Sequence, residues 1–344
     1  MGRALRRLAG LTFAAASLAA PALAQSPADL GRCANDAAAT PAVQIQDCTR
    51  VIQSGKATPE NLLVALTIRG RAYDAMGDYA RALHDLDQAI AGSAANAGAL
   101  VLRGGVHAKR REFDLAIADY DAAVKLDPKL AVAVSDRGLA YASKGDLDGA
   151  IADYSEAIRI DPRLVVAFYN RGNARAAKGD VAGAFADYNE AIRLDPNYIS
   201  AYVRRANMQS SIGGYAGAIA DYNAAIKLAP GDSIAWIGRC WTRALAGELP
   251  DALPDCNEMV KLRPNDAYAL GVRAFARLKA GQLDGAIADY TAVLRQNPKD
   301  AFALYGRGAA ELKKRDAARG NADVAAAKAI KPDIDREFAR LGVK

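Results

Sequence analysis

Residues 131–162, AVAVSDRGLAYASKGDLDGAIADYSEAIRIDP, spell out a unit that the chain repeats. Copies close on Pro128, Pro162, Pro196, Pro230, Pro264, Pro298 and Pro332, one every 34 residues, and an earlier copy opens at Leu63 without a closing proline. Self-similarity at that period marks a stack of helix pairs, because one such unit cannot bury its apolar face alone and neighbouring units must share a continuous core. The period overrides the two-domain expectation that a length of 344 residues would otherwise give.

Within the copies, columns of residue type show what each position does. The eighth residue is always small: Gly70, Gly104, Gly138, Gly172, Ala206, Cys240, Ala274 and Gly308. The twentieth is Ala82, Ala116, Ala150, Ala184, Ala218, Ala252, Ala286 and Gly320, so two helices can cross with their backbones close. The twenty-fourth supplies the knob those small residues accommodate: Leu86, Tyr120, Tyr154, Tyr188, Tyr222, Cys256, Tyr290 and Val324. Gly77, Gly145, Gly179, Gly213, Gly247 and Gly281 suit the left-handed residue that ends a helix. The proline forbids continuation of the second helix.

Two further columns do not vary. Every copy has arginine at its seventh position, from Arg69 to Arg307, and aspartate at its twenty-third, from Asp85 to Asp323. They fall at one height on the hairpin, which points to a repeated Arg–Asp clamp within a copy or between neighbours. A ribbon of arginines reading an anionic ligand is the rival, and an aspartate for each arginine argues against it.

The ends differ from the repeats. Met1–Arg7 carries Arg3, Arg6 and Arg7, Leu8–Ala20 is apolar, and Ala22-Leu23-Ala24 is a small-residue cleavage site, so residues 1–24 are expected to be a signal peptide cut after Ala24. No later stretch is long and uncharged enough to span a bilayer, which leaves a periplasmic or secreted chain without membrane insertion. The formal charge of +6 falls to about +3 without the leader arginines and does not suit a nucleic-acid partner. Residues 25–58 read as a hairpin turning at Thr40-Pro41, with Cys33 and Cys48 nearly symmetrical about the turn and placed for a disulfide. In the copy 233–266, Cys240 and Cys256 replace the small residue and the knob together, which suggests a second bridge beside Pro254, a residue that weakens its helix; two buried free thiols are the alternative. The copies then run 63–96, 97–130, 131–164, 165–198, 199–232, 233–266, 267–300 and 301–332, and residues 333–344 form a capping helix with Ile334, Phe338 and Leu341 on one stripe.

With Gly138, Tyr141, Ala150, Tyr154, Ala157 and Pro162, the copy 131–162 resembles the tetratricopeptide repeat (TPR) family, and the likeness extends over Leu63–Pro332. The resemblance implies an all-α, right-handed superhelical solenoid of antiparallel helix pairs, with the first helix of each pair lining an inner groove. It places the groove on first-helix positions 2, 5, 6, 9, 12 and 13. There the middle copies present Asn170, Asn173, Arg204 and Asn207, and asparagine columns in related proteins resemble ladders that hydrogen-bond a peptide main chain. Later copies present Ile234, Ile237, Trp241, Tyr268, Val272, Phe275, Phe302 and Tyr305. Apolar side chains on an open groove call for a covering partner, or else they pack between repeats. Trp241 and Phe275, sharing position 9 in consecutive copies, are the strongest candidates for contact with a peptide or amphipathic helix.

Nothing in the chain supports catalysis. His84 and His107 lie in separate copies, and no phosphate loop, metal-ligand spacing or cofactor motif is present. The expectation is an exported scaffold that binds protein or peptide segments, with a glycan or peptidoglycan-fragment binder and a structural subunit of an envelope complex as alternatives.

Overall fold

A computed structural model describes residues 28–35 and 40–343. The expected signal peptide, residues 36–39 of the first turn and the C-terminal Lys344 lie outside the described residues. Among the described residues there are nineteen α-helices and no strand. They are α1 (Ala28–Asn35), α2 (Pro41–Gln53), α3 (Pro59–Ala75), α4 (Tyr79–Gly92), α5 (Ala97–Lys109), α6 (Phe113–Leu126), α7 (Ala131–Lys144), α8 (Leu147–Ile160), α9 (Val165–Ala177) and α10 (Val181–Leu194), followed by α11 (Ile199–Ser211), α12 (Tyr215–Leu228), α13 (Ser233–Ala246), α14 (Leu249–Leu262), α15 (Ala267–Lys279), α16 (Leu283–Gln296), α17 (Ala301–Lys313), α18 (Ala317–Ile330) and α19 (Ile334–Arg340). None of them is long and apolar enough to cross a membrane.

The chain divides into two compact units between Glu190 and Ala191. In the first, α3 packs on α4, α5 on α6 and α7 on α8, and each second helix also meets the first helix of the next pair. The first helices touch in series as well, α3 with α5, α5 with α7 and α7 with α9. The second unit follows the same scheme from α11 to α18, and α19 adds one more helix against α17 and α18. First helices therefore line one side of each unit.

Local chemistry explains the boundaries. Asp78, Asn96, Asp146, Asp266, Asp300 and Asp316 each accept a hydrogen bond from the backbone N–H three residues on, satisfying a donor that a helix start leaves unpaired. Left-handed residues end the first helices at the expected glycines, and where the glycine is missing the same geometry is imposed on Arg111 (φ 65°) and Arg315 (φ 67°). The hairpin dictates the turn there, at a cost of about 1 kcal/mol per non-glycine residue.

The small-residue column works by contact. A Cβ on Gly104 would sit 2.9 Å from Cε1 of Tyr120, and one on Gly172 would sit 2.8 Å from Cε1 of Tyr188. The tyrosine rings are buried. Cys240 and Cys256 occupy the same two positions in α13 and α14 and are bonded to each other, as are Cys33 and Cys48 in α1 and α2. Helix α14 runs unbroken through Pro254.

The Arg–Asp columns form a clamp that acts both within a pair and between pairs. Arg137 grips Asp153 of its own pair through Nε and Nη2 at 2.8 and 2.7 Å, and its Nη1 reaches Asp121 of the preceding pair at 2.6 Å. Arg103 does the same with Asp119 and Asp87. In the second unit Arg239, Arg273 and Arg307 repeat the grip on Asp255, Asp289 and Asp323, but their third arm ends on neutral oxygens of Asn223, Asn257 and Thr291. These guanidiniums are committed to the fold and are not a ribbon for an anionic ligand.

Candidate functional site

The two units carry different chemistry on the side lined by first helices. In the second unit the aromatic residues expected to face an open groove form a bed that the chain covers itself. Phe275 is 0% exposed. Its ring lies 4.7 Å from Trp241, 6.0 Å from Phe302 and 6.3 Å from Phe338, centroid to centroid. Phe338 of α19 also stacks at 4.5 Å on Phe302 and 4.6 Å on Tyr305. Ile334 and Val343 are buried beside it, and Lys328 pairs with Asp335 at 2.7 Å to hold α19 on α18.

This corrects the expectation for Phe275 and Ile237. Both are core residues, because apolar side chains on these first helices are covered by the C-terminal helix and by the next pair. Trp241, Phe302 and Tyr305 are half-buried against the same cluster, so Trp241 and Phe275 do not form an exposed pair. Lys279 closes the edge, its Nζ 5.7 Å above the Phe275 ring, and burial pulls its pKa down. Tyr268 alone of the expected aromatic residues is well exposed, at 56%.

The asparagines behave differently. In the first unit, on α9, Asn173 accepts a hydrogen bond from the Tyr188 hydroxyl at 2.9 Å. In the second, on α11, Asn207 accepts one from Tyr222 at 2.6 Å. The ninth position of the first helix thus sits over the twenty-fourth position of its own pair, and the tyrosine fixes the amide with its oxygen inward and its NH2 end away from the ring. Asn207 is exposed, and Asn170, Asn173 and Arg204 are half-buried.

In two copies where the ninth position is not asparagine, the tyrosine has no partner. Gly105 in α5 and Phe275 in α15 stand there, and the hydroxyls of Tyr120 and Tyr290 are buried with no hydrogen bond. Sequence reasoning missed one residue of this region, Asp136 on α7, although it shares the sixth-position column with Asn170 and Arg204. It is 8% exposed, and burial raises its pKa to about 7. Burial first, and then the charge of Asp136, push the hydroxyls of Tyr120 and Tyr154 above their ordinary range.

Both histidines are engaged locally. His107 Nδ1 lies 2.7 Å from Glu112, and His84 Nε2 lies 2.7 Å from the Gln88 amide. A cleft of about 390 Å³ lies over α16–α18, lined by Thr291, Arg307, Glu311, Arg319 and Asp323, and two of these residues already form the last clamp.

Stacked helix pairs with small-residue crossings, an invariant clamp and a side lined by first helices define a helical repeat scaffold. The chain belongs to the tetratricopeptide repeat family: the models described as "Tetratricopeptide repeat" and "TPR repeat" match residues 69–131, 205–267 and 273–333, and 138–179 and 172–213. Among solved structures it is similar to a tetratricopeptide repeat protein from Parabacteroides merdae, at 18% identity over 72% of this chain and 98% of that chain, with a TM-score of 0.55. It is also similar to the APC/C hetero-tetramer Cut9–Hcn1, at 15% identity over 87% of this chain and 59% of that chain, with a TM-score of 0.55. Both are likenesses of fold. No curated protein matches the chain significantly.

Proposed function

We propose that this chain is an exported, non-catalytic scaffold that receives extended peptide segments on the sides of its units lined by first helices. The observation that carries the reading is the fixed amide: Asn173 and Asn207 each have the oxygen held by a buried tyrosine, which orients an NH2 donor at no further entropic cost to a guest. A main-chain carbonyl suits such a donor whatever the side chains of the guest. Export is supported by the leader pattern of residues 1–24 and by two disulfides, which persist in oxidising compartments. In this reading the eight copies of 63–332 form the scaffold proper, and residues 333–344 close its end. The cover that α19 gives the aromatic bed favours the asparagine positions over it as the peptide site.

A photo-reactive amino acid placed at Asn207, or at Lys125 on the exposed side of α6, tests the surface in envelope extract. Capture of a protein from Asn207 and not from Lys125 supports the proposal. Capture from Lys125 alone moves the partner to the second helices and overturns it.

A further inference from the structure

We propose that the first unit, at Gly105, Tyr120, Ser135 and Asp136, takes up a cationic side chain, lysine or arginine, of an extended peptide. This rests on the peptide reading above and names the chemistry of the guest.

Buried polar side chains in folded proteins almost always have partners, and exceptions ask for an explanation. In the first unit, among the described residues, three such exceptions fall together on α6 and α7. The Tyr120 hydroxyl and the Ser135 hydroxyl are enclosed without a hydrogen bond. The Asp136 carboxylate, next in sequence to Ser135, is acted on by burial alone, with no hydrogen bond or opposite charge to offset it.

The shortfall is one of positive charge. Every other carboxylate that acts on Tyr120 or Tyr154 has its own cation: Asp119 has Arg103 at 2.6 Å, Asp74 has Lys109 at 2.6 Å, and Asp153 has Arg137 at 2.7 Å. Leaving a carboxylate buried without a counter-charge is costly, and a paired ammonium or guanidinium removes most of that cost. The fold does not need an acid at this position, since the same column holds Ile68, Leu102, Asn170, Gly238, Val272 and Gly306 in other copies.

There is also room. A Cβ built on Gly105 would meet nothing within 4 Å except the Tyr120 hydroxyl, at 3.8 Å. At the matching position Asn173 both fills the space and satisfies its tyrosine. Replacing that asparagine by glycine leaves an open place and an unsatisfied hydroxyl on which the unpaired Asp136 carboxylate acts. An anionic guest would be repelled there, and a neutral one would leave the charge uncompensated.

The test is a selection from a random dodecapeptide library on the full chain, followed by titration of the strongest peptide. Enriched peptides should share a lysine or arginine at one register. Changing that lysine to norleucine, or the arginine to citrulline, should weaken binding at least tenfold on the unaltered chain and less than twofold on Asp136→Asn. The variant is nearly isosteric, and circular dichroism verifies its helicity. Enriched peptides without a shared cation, or cation and Asp136 effects that multiply independently, overturn this proposal while leaving the peptide surface intact if Asn173→Ala still weakens binding. If no peptide is enriched, the peptide reading fails and this inference falls with it.

Discussion

The inner sides of the two units answer the same problem in opposite ways. The repeat pattern fixes the positions that hold a helix pair together and leaves the remaining first-helix positions to vary. In the second unit those positions carry aromatic rings, and α19 lays Phe338 across them, so that the surface becomes core. In the first unit the ninth and fifth positions carry Gly105 and Ser135, with the buried Asp136 next to Ser135, and unmatched polar groups gather there, whereas the unmatched Tyr290 hydroxyl of the second unit has no such acid beside it in the sixth-position column, which holds Gly306. Aromatic residues on a repeat surface are thus weaker pointers to a binding site than a buried polar group without a partner, because the chain can satisfy the former with its own tail.

The contrast can be broken most forcefully at the tail. Phe338→Ala should destabilise the second unit by about 3–5 kcal/mol, as a large buried ring is lost from a closed bed. Urea melts followed by the fluorescence of Trp236 and Trp241, with dye binding to the uncovered aromatic residues, would register it; an unchanged melt would mean that α19 covers nothing of consequence. In the first unit Asp136→Asn should stabilise, by an amount that grows as pH rises from about 4 and is complete near neutral pH. The folded chain holds the Asp136 proton up to about pH 7 while the unfolded chain releases it near the ordinary 3.8, so wild-type stability falls as pH rises across that window. The asparagine variant should match wild type at pH 3.5 and exceed it by up to about 4 kcal/mol at pH 8, at 1.36 kcal/mol per pKa unit. Parallel melting curves at both pH values would show that the carboxylate is already compensated.

Smaller effects sharpen the picture. Cys240→Ser with Cys256→Ser should cost about 3 kcal/mol, the loop entropy of a bridge spanning 16 residues, measured by denaturation of the oxidised wild type and the double variant. Helix α14 should respond most in hydrogen exchange, since Pro254 already deprives it of a backbone bond. Least of all, Lys144→Met removes the exposed pair with Asp114 and should leave the melt where it was.

The helix pairs were legible because their signals are local and repeated: a proline every 34 residues, small residues at the crossings, and arginine and aspartate in fixed columns. Both disulfides could be read for the same reason, since each cysteine pair sits at one height of a hairpin. The candidate surface was less legible. A column assigns a residue to a face but does not say whether another segment lies over that face, and the stripe that marks α19 as a cap does not reveal that Phe338 reaches back to Phe275. Asp136 escaped notice because one acid in a chain rich in acids carries no signal until its surroundings show that it lacks a cation.

The third arm of the clamp arginines within each unit gives its stack a tunable stiffness. Through it a single guanidinium senses both its own hairpin and the one before, so loosening one step weakens the next, as in a zipper whose teeth share a hinge. In the first unit the arms of Arg103 and Arg137 end on the carboxylates Asp87 and Asp121 and those of Arg69 and Arg171 on the hydroxyls of Thr49 and Ser155, whereas in the second Arg239, Arg273 and Arg307 all end on uncharged oxygens. Pulled from its ends at low ionic strength, the protein should therefore peel open first through its later hairpins, and added salt should narrow the difference in rupture force between the two halves.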